Sequence, residues 1–127
     1  MGIVSAMKTY QDLFTDDGVQ QEIIYEAAQR LGLAFSKEYV EYLSEFGIAA
    51  VNGHELTGLG CPSRTNVIDV TMEERQYNSV PTDWYVVEQA NIDGIVIWQS
   101  GDGIIYQTMP NQKPIKLCES LAEYISM

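Results

Sequence analysis

Carboxylates are the only reactive side chains this sequence holds in quantity: 18 Asp and Glu stand against 7 Lys and Arg, one histidine and two cysteines. Two positioned carboxyl groups can share general acid and base work, and Glu73, Glu74, Glu88, Asp93 and Asp102 are the candidates. Glu73 and Glu74 are adjacent, so on a helix they diverge by about 100° and form no pair. Asp93 and Asp102 each precede a glycine, the ordinary chemistry of a tight turn. A nucleophile activated by imidazole would have to use His54, which follows Asn52-Gly53, where an exposed residue opening a strand accounts for it. Neither a G-x-S-x-G elbow nor a phosphate-binding loop occurs. The turns at Asp93 and Asp102 lack the ligand number of a calcium loop. Cys61 and Cys118 lack the paired spacing of a zinc or dithiol motif and read as reduced thiols in the interior. No catalytic residue, cofactor or metal is expected, and the chain reads as one that acts by binding, not as an enzyme.

Binding needs anchors. Trp84, Trp98 and Tyr106 lie in or beside segments of strand character, where alternation sends some side chains to the core and others outward. Core placement is the first expectation for both tryptophans. The expected partner surface combines these aromatics with a Thr71–Tyr77 helix carrying Glu73, Glu74 and Tyr77, with Asp69 just before it, and with a rim at Asp93 and Asp102.

The elements that would position these residues are legible from period and punctuation. Val19, Ile23, Ile24, Ala27 and Leu31 mark one face of a helix that Gly32 ends. A second helix has Ser36 as N-cap, Phe35 and Val40 as a hydrophobic staple and Gly47 as its stop. Val40, Leu43 and Phe46 should face inward, and Glu38, Glu41 and Glu45 should form an acidic stripe facing water. Ile48–Val51, Asn52-Gly53 and His54–Leu56 spell a hairpin with a type I′ turn. A further helix should start at Thr71, with Glu74 at capping-box spacing, and end before Pro81. The last third reads as a meander, with strands over 84–89, 95–99, 104–109 and 115–117 and a closing helix capped by Ser120 and Glu123. This is an α+β order, an antiparallel meander with helices at the N-terminus, middle and C-terminus.

At 127 residues one domain spanning 1–127 is expected, with Met1–Ala6 as a flexible extension because Met7-Lys8 could itself be a start. There is no secretory signal, and the longest apolar run, Ile95–Trp98, is far short of the roughly 20 residues of a membrane span. A cytoplasmic place is expected. The formal net charge of −11 repels nucleic acid and anionic membrane. It serves solubility and, equally, would steer in a cationic partner.

Several phrases, in this order, resemble the SUKH superfamily of Smi/Knr-type proteins, from about Leu31 to the C-terminus. They are Tyr39-Val40-Glu41-Tyr42-Leu43 with Phe46-Gly47, Val51-Asn52-Gly53-His54-Glu55-Leu56-Thr57-Gly58-Leu59-Gly60, Thr71-Met72-Glu73-Glu74-Arg75, and the closing Ser120-Leu121-Ala122-Glu123-Tyr124-Ile125. Ala34-Phe35-Ser36 replaces a proline many members carry, and the Gly-Asp turn is shifted to Ser100-Gly101-Asp102-Gly103. The resemblance implies an immunity protein that binds and neutralises a cognate toxin, often a basic nuclease, as a monomer or weak dimer. Fungal relatives imply a regulatory adaptor or scaffold as the alternative, and a carboxylate-dependent hydrolase is a more distant one.

Overall fold

A computed structural model describes residues 2–127. The first element is a helix, α1 (Ile3–Lys8), with Ile3 and Met7 buried in the core. The expected flexible extension is therefore corrected from Ile3 onward, because two apolar side chains four apart give even this short helix a face to bury; Met1 lies outside the described residues. A two-residue strand, β1 (Phe14–Thr15), leads into α2 (Gln21–Leu31). Gly32 takes the left-handed conformation after α2, and the Gly32 and Leu33 amides close on Gln29 and Ala28. Ile24, Ala27, Ala28 and Leu31 face inward, whereas Ile23 lies on the exposed side.

The next helix, α3 (Lys37–Phe46), starts where Ser36 Oγ accepts from the Tyr39 amide at 3.0 Å and ends at Gly47, as its punctuation predicts. Its buried face is Tyr39, Tyr42, Leu43 and Phe46, with Val40 only half-buried. The tyrosines turn inward because the interior supplies partners. Tyr39 Oη pairs with Thr57 Oγ1, while Tyr42 Oη donates to the Thr57 carbonyl and accepts from the Ala49 amide. Glu38 leaves the expected water-facing stripe for the same reason. Its carboxylate accepts from the amides of Leu121 and Ala122 and from Gln99 Nε2, at 2.7, 3.0 and 2.8 Å.

The hairpin forms as β2 (Ala49–Val51) and β3 (His54–Glu55), with positive φ at both Asn52 and Gly53. Asp12 accepts from both turn amides, and β1 pairs on the far side of β2, giving a small sheet in the order β1-β2-β3.

Helix α4 (Val67–Glu74) begins four residues before the predicted start. Asn66, not Thr71, is its N-cap, accepting from the Ile68 amide at 2.9 Å. Thr71 is fully buried within it and accepts from the Val86 amide, fastening the helix to β4 (Tyr85–Gln89). The helix ends before Pro81, as expected, giving way at Arg75 to turns.

Strands β5 (Val96–Gln99), β6 (Ile105–Thr108) and β7 (Ile115–Cys118) complete an antiparallel meander in sequential order, and α5 (Leu121–Tyr124) closes the chain with Ser120 as its N-cap. The fold is α+β, as expected. One face of the meander presents Tyr85, Val87, Ile97 and Ile105 to the main core; the other gathers Trp84, Val86, Val96 and Trp98 with Val70 of α4. A bulge between Val86 and Glu88 puts Val87 and Glu88 in succession on the core side.

Candidate functional site

The bulge delivers the Glu88 carboxylate into the interior, where it is less than a tenth exposed. Its Oε1 accepts from Tyr124 Oη at 2.5 Å and lies 2.8 Å from His54 Nδ1, and its Oε2 accepts from the Glu55 amide at 2.8 Å. His54 is thus not the exposed residue its place after the turn suggested; its ring packs against Tyr124 and its Nε2 is buried without a partner. Burial first, then the bond to Glu88, pushes the Tyr124 phenol above the ordinary range, so it stays protonated and donates. Glu88 has all its short contacts within the fold and joins hairpin, sheet and last helix. This constellation holds three elements together.

Two clefts on the described surface have room to meet another molecule. The first is a cleft of about 480 Å³ among the starts of α1 and α3, the β5–β6 turn and the β7–α5 junction; Glu38, Glu41, Asp102 and Glu119 line it together with Lys37. The second is a groove of about 440 Å³ between the turn after α4 and the β6–β7 loop, with Tyr77 on one wall and Pro110 on the other.

Of the residues expected at a partner surface, Asp69, Glu73 and Tyr77 are exposed on α4 and its trailing turn. Glu74 is half-buried and accepts from Gln89 Nε2 and Asn78 Nδ2. Asp93 is exposed at positive φ in the β4–β5 turn, whose Gly94 packs on Pro110, so it belongs to the groove end of the molecule. Asp102 belongs to the other end. The two turns flank β5, so the expected common rim is separated by roughly 15–20 Å of strand. Trp98 is fully buried with Nε1 donating to Thr108 Oγ1, and Trp84 is buried and stacked at 4.0 Å on half-buried Tyr106. Neither indole is available to a partner. Both follow the core expectation, because α4 covers a second apolar face of the meander.

Cys118 is buried and Cys61 half-buried; both are free, and burial raises both thiol pKa values. Among the described residues no helix is long and apolar enough to cross a membrane. No curated protein matches the chain. A family model does: SUKH_5, described as "SMI1-KNR4 cell-wall", matches residues 3–126, including the α1 segment that lies before the stretch carrying the sequence resemblance. With helix, hairpin, helix, meander and final helix in that order, the chain belongs to the SUKH_5 family of SMI1-KNR4 proteins.

Proposed function

We propose that this protein is an immunity-type inhibitor that binds a cognate, basic protein toxin in the cytoplasm and neutralises it by direct contact, without cofactor or catalytic step. Family membership sets the class of reading; the observation that favours a basic partner is the charge. The net charge is −11, and Lys8, Arg64 and Lys116 are each already paired with a carboxylate. A nuclease must hold a polyanion and so presents a basic groove, which an acidic inhibitor can occupy with fast, salt-sensitive association. The His54–Glu88–Tyr124 constellation supports binding over catalysis, since every short bond of Glu88 is spent on the fold. Nucleic acid and anionic membrane are disfavoured as partners by the same charge, and a monomer or weak dimer suffices for the role.

The cell-wall wording of the matched family favours one further reading, a regulatory adaptor with several modest-affinity partners. Capture by the tagged protein from lysate of its source organism at low salt separates the two. One stoichiometric basic protein, released as salt is raised, is the immunity outcome. A spread of housekeeping proteins is the adaptor outcome.

A further inference from the structure

The groove between the turn after α4 and the β6–β7 loop differs in charge from the rest of the molecule. The chain has a net charge of −11, yet no carboxylate lines this groove of about 440 Å³, and Lys113 is its one charged lining residue. Its size falls in the range of small-molecule sites, about 300–1,000 Å³. Tyr77 lines it at 76% exposure, so the fold leaves most of an aromatic side chain uncovered there. Ser79, Asn111 and Gln112 also line it and are exposed, and each of these side chains can both donate and accept hydrogen bonds.

Both walls are held in place. Pro110 and Asn111 form the corners of a turn that the Gln112 amide closes on the Met109 carbonyl, and Asn111 has the positive φ, 62°, that the second corner of a type II turn requires. Pro110 sits on Gly94, where a Cβ would come within 2.8 Å of its ring. On the other wall the Tyr77 amide and Asn78 Nδ2 both donate to the Glu74 carbonyl, and the Glu74 side chain is fixed in turn by Gln89. Buried Thr108, which also lines the groove, accepts from Trp98 Nε1 and ties it to the sheet. A groove formed in advance spares a ligand part of the ordering cost of binding.

This lining selects by charge and by hydrogen bonding. A cation finds no counter-ion in it, and an anion finds Lys113 alone and must approach through the repulsion of the whole chain. A wholly apolar ligand would cover the amides and the hydroxyl without giving them partners, at a cost in free energy. The lining is met by a neutral ligand whose polar groups each donate and accept, and which also offers C–H groups to an aromatic face, the negative side of the ring. Hydroxyl groups arrayed around a ring of C–H bonds are the chemistry of a sugar. We infer that this groove binds a short neutral saccharide, one sugar ring stacked on Tyr77 and its hydroxyls bonded to Ser79, Asn111 and Gln112. The site goes beyond the inhibitor reading above and does not depend on it.

The test is a nuclear magnetic resonance titration of the full chain with maltotriose, cellotriose and N-acetylchitotriose, each taken to tens of millimolar, with glycerol at equal mass as the control. At least one trisaccharide should give saturable shifts at the amides of residues 77–79 and 108–113 and at the Trp98 indole N–H, where glycerol gives none. Tyr77→Ala, at an exposed position and so expected to keep the melting temperature, should weaken that binding about tenfold, and Tyr77→Phe should retain it. Lys113→Ala should change it less than about twofold, because a neutral ligand needs no cation. No saturable shift with any of the three, shifts that cluster at the cleft of Glu38, Glu41, Asp102 and Glu119, or equal binding by Tyr77→Ala would overturn the site. Loss of binding in Lys113→Ala would overturn the neutral ligand. A blocked, uncharged Pro-Ala-Pro peptide that saturates these shifts at lower concentration than any saccharide would overturn the sugar in favour of a peptide.

Discussion

Replacing Glu88 by alanine removes one carboxylate and strands the donors that three elements aim at it. Tyr124 Oη and the Glu55 amide each lose their acceptor, at 2.5 and 2.8 Å, and His54 Nδ1 loses its partner at 2.8 Å. The histidine can change tautomer, but the phenol and the amide cannot. A buried donor left unsatisfied costs about 1–3 kcal/mol, so two of them put the loss at about 4 kcal/mol, a large part of a total stability of ~5–15 kcal/mol. Urea unfolding followed by tryptophan fluorescence suits the assay, because Trp84 and Trp98 are both buried. The midpoint should fall steeply. Tyr124→Phe, which leaves the carboxylate two of its contacts, should cost about 1–2 kcal/mol, and the double variant should lose less than the sum of the two single losses. A loss below ~1 kcal/mol for Glu88→Ala, or strictly additive losses, would refute the claim that this carboxylate is the shared acceptor of a buried network.

Two further outcomes follow from groups buried elsewhere. Burial pushes the Tyr39, Tyr42, Tyr85 and Tyr124 phenols well above their ordinary pKa. The unfolded chain therefore releases these protons first as pH rises, and stability that is intact below about pH 10 is lost above it. At pH 11 each phenol contributes a loss of about 1.4 kcal/mol, or roughly 6 kcal/mol together, so the melting temperature should drop sharply between pH 9.5 and about 11; a flat profile there would contradict the buried, protonated assignment. Glu38→Ala should strip the α5 N-terminus of the carboxylate that accepts from Leu121 and Ala122, at a cost of about 1–2 kcal/mol. Hydrogen exchange at Leu121–Ile125 should speed up in that variant, and unchanged exchange would contradict the capping role.

What was legible in the sequence was written in local chemistry. Gly32 and Gly47 end helices at positive φ, Asn52-Gly53 turns the hairpin, Ser36 and Ser120 cap, and the meander strands lie within a residue or two of their expected bounds, because each signal acts over a few neighbours. The misreadings share a cause, which is a partner far along the chain. Thr71 has the spacing of a cap, but the Val86 amide claims its hydroxyl, 15 positions away, and Asn66 does the capping. Glu38 has the spacing of a solvent stripe, but it meets Leu121, 83 positions on. Glu88, a carboxylate candidate with no evident partner, and His54, expected to be exposed, lie 34 apart and meet because a bulge in β4 brings the carboxylate inward. The partner surface divided for a related reason. Asp93 and Asp102 look alike in sequence, and only the antiparallel order of β4, β5 and β6 reveals that their turns lie at opposite ends. That Asp69 and Glu73 share one helix was only partly legible, because α4 starts at Val67 and not at Thr71, where its cap spacing pointed.

The most direct test of the central proposal is growth. The basic protein captured from the source organism is expressed from an inducible promoter in a heterologous bacterium, alone and together with this chain. The account predicts arrest by the captured protein alone and restored growth on co-expression, in a dose-dependent manner. A captured partner that leaves growth untouched, or one whose toxicity persists at equal expression of this chain, would contradict it.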